Sequence, residues 1–225
     1  MHRTRIKICG VTHPDDAVLA ARAGADAVGI VLHPPARRHV PIADARRIVA
    51  AVPPFVTVVG LFVDTPPAEV LRVAQAVGLR AVQLHGHEPH GDVADLDPLP
   101  MYKAVRTERA TLGAVLQIWR TAAAVHGLPN LAGLVMESPA SAGGSGVEND
   151  WATLKEAQAG GAFDGLPPVI AAGGLRPGNV AGVVRALRPW AVDVSTGVER
   201  DPAARRKDPE LIEAFVREVR TADAT

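Results

Sequence analysis

The sequence lacks several features that would place the chain in a membrane or in an oxidising compartment. It has a single cysteine, Cys9, which excludes an internal disulfide and fits a cytoplasmic protein. The longest apolar stretches fall far short of the roughly 20 residues that a membrane helix needs. The N-terminal segment 1–10 is charged and has no long apolar run, so we expect no signal peptide.

The chain also lacks an excess of charge of either sign. Lys and Arg number 24 together, as do Asp and Glu, so the formal net charge is zero. A balanced chain gives no general reason to expect a nucleic acid or an anionic membrane as partner. No cluster of His, Cys and acidic residues has metal-ligand spacing, so no metal site is expected.

Aromatic residues are scarce at 4%, but apolar residues make up 48% of the chain. Two kinds of segment alternate along it: short β-branched runs and longer stretches with helical spacing. Short β-branched runs are typical of buried parallel strands and predict strands at 5–11, 27–32, 56–63, 81–86, 102–106, 133–138, 168–174 and 191–197. Stretches with helical spacing lie between them and predict helices at 13–24, 41–52, 66–78, 109–125, 149–160, 177–188 and 208–219. The segment 87–100 contains Pro89 and Pro98 and allows only a short helix.

This alternation predicts an α/β fold with a parallel sheet covered by helices. Eight units in a chain of this size match a single (β/α)8 TIM barrel over residues 1–225, with a doubly wound open sheet as the alternative. The chemistry of such a barrel lies at the C-terminal ends of its strands. The residues at these ends are Cys9, His33, Asp64, His85, Arg106, Glu137, Gly173 and Ser195.

Glycine-bearing turns follow the last three predicted strands, at 141–146, 171–179 and 193–199. Each turn alone also fits an ordinary tight turn, but glycines let the backbone approach a ligand and point its N–H groups inward. Loops after the seventh and eighth strands of barrels frequently bind phosphate. We therefore predict a phosphate site formed by Gly144, Ser145, Gly146, Gly173, Gly174, Ser195, Thr196 and Gly197.

Cys9 stands where the first predicted strand runs into a turn, within IKICGVTHP at 6–14. Taken alone, this position fits core packing, because free cysteine is among the most buried residue types. A chemical role is the alternative. Lys7 lies two residues earlier on the same strand face, about 7 Å away by strand rise, where its charge would favour the thiolate.

Several distinctive runs are spread along the chain from one end to the other: KICGVTHPDDA (7–17), AGADAVGIVLHPPARRHV (23–40), GLFVD (60–64), VQLHGHE (82–88), GGSG (143–146), DW (150–151), AAGGLRPGNV (171–180), DVSTGVE (193–199) and KDPELIEAFV (207–216). In combination they resemble the phosphoribosylanthranilate isomerase family of tryptophan synthesis. The resemblance covers nearly the whole chain and implies the family's fold, reaction and site residues.

The resemblance implies isomerisation of N-(5-phosphoribosyl)anthranilate to 1-(2-carboxyphenylamino)-1-deoxyribulose 5-phosphate, an Amadori rearrangement. An acid protonates the ribose ring oxygen, the ring opens to a Schiff base, and a base takes the proton from C2. Two proton-transfer groups and a phosphate clamp suffice, so no metal or redox cofactor is implied. The implied partner is a small phosphorylated molecule, without nucleic acid or membrane, and the protein is a monomer or a homodimer.

The resemblance also implies roles for individual residues. Cys9 matches the family's general base, whereas Glu137 stands where the family has an aspartic acid as general acid. Asp193 matches a family position, and we interpret it as a substrate contact and a second candidate acid. Arg38 matches the arginine that faces the anthranilate carboxylate, which a guanidinium can bind bidentately, but Arg37 stands where the family usually has proline.

Further substrate contacts are expected from Lys7, Gln83 and His85. Gln83 and His85 alternate with apolar neighbours and so share one face of their strand, although interior polar packing is the alternative. Two other functions remain open. Another sugar-phosphate isomerase barrel is disfavoured by the KICG run, and a relative that binds a phosphorylated ligand without turnover is favoured only by Glu137.

Overall fold

The structure is a computed structural model that describes residues 3–138 and 146–225. Its parallel strands close into one barrel in chain order, with β8 paired to β1. The strands are β1 (Arg5–Ile8), β2 (Ala27–Val31), β3 (Thr57–Phe62), β4 (Ala81–Leu84), β5 (Met101–Arg106), β6 (Leu131–Glu137), β7 (Val169–Ala171) and β8 (Ala191–Val194). The predicted (β/α)8 barrel is confirmed, and the open sheet is excluded by the closure.

A helix follows each strand. The helices are α1 (Pro14–Ala23), α2 (Ile42–Ala51), α3 (Pro67–Val77), α4 (His90–Ala94), α5 (Leu112–His126), α6 (Trp151–Ala159), α7 (Pro177–Leu187) and α8 (Pro209–Asp223). Local sequence explains many of their ends. Proline fits the first turn because it lacks an N–H group, and N–H groups there have no partner within the helix. Glycine fits the position after the last turn because it readily adopts the left-handed conformation. Pro14 and Gly24 bound α1 in this way, and the five-residue α4 lies in the segment that the prolines restrict.

The core has two parts, which follow from the period-two alternation of the strands. Leu134 and Met136 of β6 belong to the large cluster between barrel and helices, whereas Val135 belongs to a smaller one. The smaller cluster joins Val135 to Ile170, Ala172 and Ala191 and fills part of the barrel interior. Residues that share the face of Val135 therefore point into the barrel, and Glu137 is the last of them on β6.

Within residues 3–138 and 146–225, no helix is both long enough and apolar enough to span a bilayer.

Candidate active site

A cavity of about 520 Å³ opens at the C-terminal ends of the strands, where the sequence placed the chemistry. Residues at or just beyond the C-terminal end of every strand of the barrel line it. They include most of the predicted site residues: Cys9, Arg38, Gln83, His85, Glu137, Gly146, Gly173, Gly174, Asp193, Ser195, Thr196 and Gly197. Gly144 and Ser145 lie outside the described residues.

Lys7 does not line the cavity but lies buried beside it, in an ion pair with Asp193. The Lys7 Nζ and Asp193 Oδ2 atoms are 2.6 Å apart, and both side chains are almost wholly buried. The pair arises from barrel closure, because Lys7 and Asp193 are register partners across β1 and β8. Asp193 Oδ1 has no hydrogen-bond partner in the described ranges, so this oxygen is the one left for a ligand.

The Cys9 thiol directly follows the C-terminal end of β1 and is buried. Its space comes from Gly29 on β2, since a Cβ at position 29 would lie 2.8 Å from the sulfur. Burial raises the pKa of the thiol, the charge of Lys7 lowers it, and the charge of Asp193 raises it again, so the net shift is upward. The sequence argument expected Lys7 to favour the thiolate, and it does, but burial outweighs that effect.

The Lys7 ammonium responds to the same neighbours. Burial alone would lower its pKa, but the charges of Asp193 and of the thiolate outweigh burial and raise the pKa above its usual range. Lys7 therefore stays protonated at neutral pH. A fixed positive charge next to the thiol is available to stabilise the thiolate whenever it forms.

Glu137 ends β6, which lies three strand steps around the barrel from β1, and the residue is partly buried. Its register partner on β5 is Arg106, which also lines the cavity. His85 is close enough to feel the charge of Glu137, which raises the pKa of the imidazole. Burial is the larger cause, however, and the net pKa shift of His85 is downward. At neutral pH, His85 is therefore a neutral neighbour of Glu137.

Gln83 and His85 lie side by side, as their alternation predicted. The Gln83 amide nitrogen is 3.0 Å from His85 Nδ1, and donation by the amide leaves the ring proton on Nε2. The Gln83 carbonyl oxygen is buried without a partner in the described part of the chain. The pair thus offers an acceptor from Gln83 and a donor from His85 to a bound molecule.

Arg38 is placed differently from the expectation that its fork meets a substrate carboxylate. Its Nε donates to Glu199 Oε1 at 2.7 Å and its Nη2 to Glu199 Oε2 at 2.8 Å, so the bidentate edge already binds a protein carboxylate. Arg37 also donates to Glu199, at 3.2 Å, from a half-exposed side chain. Both arginines line the cavity, and the Nη1 donors of Arg38 have no carboxylate partner in the described ranges.

Sequence reasoning did not single out Glu199, although it ends the DVSTGVE run. The sequence feature that could have identified Glu199 is an acidic residue at the end of the glycine-bearing turn after β8. Arg106 was noted as a strand-end residue and given no role.

Glycines bring the turns of the predicted phosphate site into close contact. A Cβ on Gly197 would overlap the carbonyl oxygen of Leu175, so the turn after β8 packs on the turn after β7. Gly173 and Gly174 have positive φ angles of 94° and 65°, which glycine adopts without strain. Helix α7 begins three residues after Gly174, and its N-terminus adds partial positive charge. The geometry suits an anion.

Comparison with known proteins gives consistent results. A sequence model of the family described as N-(5'-phosphoribosyl)anthranilate (PRA) isomerase matches residues 6–218. The isomerase of that name from Myxococcus xanthus is 41% identical over 214 residues, which are 95% of this chain and 94% of that protein.

Solved structures are also similar. The phosphoribosyl anthranilate isomerase from Thermotoga maritima superposes with a TM-score of 0.83 at 34% identity, over 97% of this chain and 99% of that one. Another phosphoribosyl anthranilate isomerase, solved with reduced 1-(o-carboxyphenylamino)-1-deoxyribulose 5-phosphate, has a TM-score of 0.80 at 33% identity, with the same coverage.

Proposed function

Because this chain belongs to the N-(5'-phosphoribosyl)anthranilate isomerase family and is an isomerase of tryptophan synthesis, we propose that Cys9 and Glu137 carry the two proton transfers of its reaction. The observation that supports these roles is their placement in one cavity, at the ends of β1 and β6. Three strand steps around the barrel separate β1 from β6, so a ribose bound between them has one group on each side.

In the proposed mechanism, the Glu137 carboxyl protonates the ribose ring oxygen, and the ring opens to a protonated Schiff base. The positive charge of this species acidifies C2, from which Cys9 then takes the proton. The buried Lys7 stabilises the thiolate before that step. The resulting enolamine goes on to the ketone. The raised pKa of the thiol makes its thiolate a stronger base, at the cost of a smaller thiolate fraction near neutral pH.

The two ends of the substrate are held by different parts of the rim in this proposal. The glycine-bearing turns after β7 and β8 receive the phosphate, and the arginines that follow β2 receive the anthranilate carboxylate. Gln83, His85 and Asp193 are left to contact the ribose, since Gln83 and Asp193 each keep a buried oxygen without a partner in the described ranges. The comparisons favour this isomerase over another sugar-phosphate isomerase or an inactive phosphate-binding relative.

The phosphate assignment makes a direct prediction. Gly197→Ala is expected to raise KM for the phosphorylated substrate by about 10-fold or more, because its Cβ forces the turns after β7 and β8 apart. Inhibition by inorganic phosphate should weaken in parallel. The matched control is Gly182→Ala in the middle of α7, where a Cβ meets nothing within 4 Å. Unchanged phosphate inhibition in Gly197→Ala would place the phosphate elsewhere.

The proposal extends to the state and location of the protein. One solved relative from Thermotoga maritima is described as a dimeric enzyme, and this chain is proposed to be a monomer or a homodimer, which sedimentation velocity distinguishes. A biosynthetic role supports a cytoplasmic location. The proposed partner is the small phosphorylated substrate.

A further inference from the structure

Glu199 is the centre of a buried charge cluster that the proton transfers do not use. Its carboxylate accepts hydrogen bonds from Arg38, from Arg37 and, at 2.8 Å, from Lys207. The side chains of Glu199 and Lys207 are completely buried, and that of Arg38 nearly so. We call Arg37, Arg38, Glu199 and Lys207 the Glu199 cluster.

The Glu199 cluster has more positive than negative charge. Burial alone would raise the pKa of Glu199, but the hydrogen bond from Arg38 and the charge of Lys207 lower it to about 2, so the carboxylate is ionised at neutral pH. Burial lowers the pKa of Lys207, and the charge of Glu199 opposes this shift. One carboxylate thus faces three cationic side chains. An anionic group on the substrate would restore the balance.

The donors of Arg38 show where that anion can bind. A guanidinium has five N–H donors. Nε and one Nη2 hydrogen bind Glu199, and Nη2 also donates to Thr196 Oγ1 at 2.9 Å. The two donors of Nη1 have no partner in the described ranges. Since Arg38 lines the cavity, Nη1 is the part of the side chain that remains for a ligand.

The stem of Arg38 is fixed as well. A Cβ on Gly10 would overlap the Arg38 Cδ atom, so the stem lies directly against the backbone next to Cys9. Gly10 has a φ of 70° and no side chain to displace the arginine. The guanidinium is thus held at its stem by Gly10 and at its head by Glu199, close to the proposed base.

We propose that Glu199 is a positioning residue that holds Arg38 in place, so that the anthranilate carboxylate of the substrate binds an already fixed guanidinium through Nη1. This inference rests on the proposed function, because it needs a substrate with a carboxylate at one end and a phosphate at the other. A group fixed before binding loses less conformational freedom when the ligand arrives. Glu199 therefore acts on affinity for the anthranilate end and leaves both proton transfers intact.

The test is Glu199→Gln, which keeps the shape of the side chain and removes its charge. We expect KM to rise about 10-fold or more while kcat stays within about 3-fold of wild type. Competitive inhibition by anthranilate should weaken to a similar extent, and inhibition by inorganic phosphate should not change. A wild-type KM, or a kcat that falls as far as KM rises, would overturn the proposal.

Glu88→Gln is the matched control for the loss of a buried Glu–Lys pair. Glu88 and Lys103 are paired at 2.8 Å with side chains almost as buried as those of Glu199 and Lys207, and no hydrogen bond joins either of them to Arg38 in the described ranges. Both variants should lower Tm, whereas only Glu199→Gln should weaken anthranilate inhibition selectively. If Glu88→Gln weakens it equally, the effect is general to buried pairs and the inference fails.

A second variant covers the case in which Glu199→Gln does not fold. Glu199→Asp keeps the charge beside Lys207 but withdraws the carboxylate from Arg38 by one methylene, so it should show an intermediate rise in KM. A wild-type KM in Glu199→Asp would contradict the proposal. If the wild-type protein fails to turn over the substrate, the proposed function fails. The inference is then judged by calorimetric binding of anthranilate to wild type and to each variant.

Discussion

Cys9→Ala is expected to abolish most turnover, by roughly 10²–10⁴-fold in kcat, as is typical when a general base is removed. The fold should survive, because the thiol lies at the cavity wall and alanine needs less space than cysteine. Steady-state kinetics on N-(5'-phosphoribosyl)anthranilate measure the loss, and a melting curve provides the control for folding. A kcat near the wild-type value would contradict the assignment of Cys9 as the base and would leave core packing as its role.

The same assignment fixes the direction of the pH dependence. The pKa of the thiol is raised by burial, so its thiolate fraction grows as pH increases through neutrality. The Glu137→Gln variant, which carries no acidic proton, isolates this effect, and we expect its residual kcat/KM to rise with pH across this range, since the thiolate is the active form of the base. A profile that falls over the same range would contradict a thiolate base.

Glu137→Gln is the second change with a large expected effect. Glutamine keeps the shape of the side chain but carries no acidic proton, so kcat should fall by roughly 10²–10⁴-fold. Glu137→Asp should be tolerated, or should raise kcat if the cavity still suits the shorter acid of the family. A displacement of about an ångström can cost ~10²-fold in rate, so the Glu137→Asp variant measures how well this site has adapted to glutamate.

Asp193→Asn separates the two candidate acids. Asp193 forms an ion pair with Lys7, so its replacement leaves a buried ammonium without its partner and should lower both Tm and substrate affinity. We expect the effect on KM to exceed that on kcat. If Glu137→Gln turns over like wild type while a folded Asp193→Asn is inactive, Asp193 is the acid.

The fold follows from local pattern. Apolar runs and helix end signals predict the eight strands and the main helices because each signal lies within a few residues of the element it bounds. The prediction was wrong mainly at strand ends. The seventh strand was placed at 168–174, but β7 ends at Ala171 because Gly173 and Gly174 adopt positive φ angles that a strand does not have.

The candidate site was predictable in position but not in electrostatics. Strand ends indicated which residues surround the cavity, because all eight meet at one end of a barrel. The ion pair of Lys7 with Asp193 depends on barrel closure between residues 186 positions apart, and the bond of Arg38 to Glu199 spans 161 positions. No local pattern reports such partners, so the upward pKa shift of Cys9 and the occupied edge of Arg38 came only from the structure.

The most direct test of the central claim is the rate at which the purified protein isomerises N-(5'-phosphoribosyl)anthranilate, measured side by side for wild type, Cys9→Ala and Glu137→Gln. We predict turnover by the wild-type protein and a loss of roughly 10²–10⁴-fold in each variant, with all three proteins folded. Wild-type rates in both folded variants would show that these two residues do not carry the proton transfers and would contradict the account.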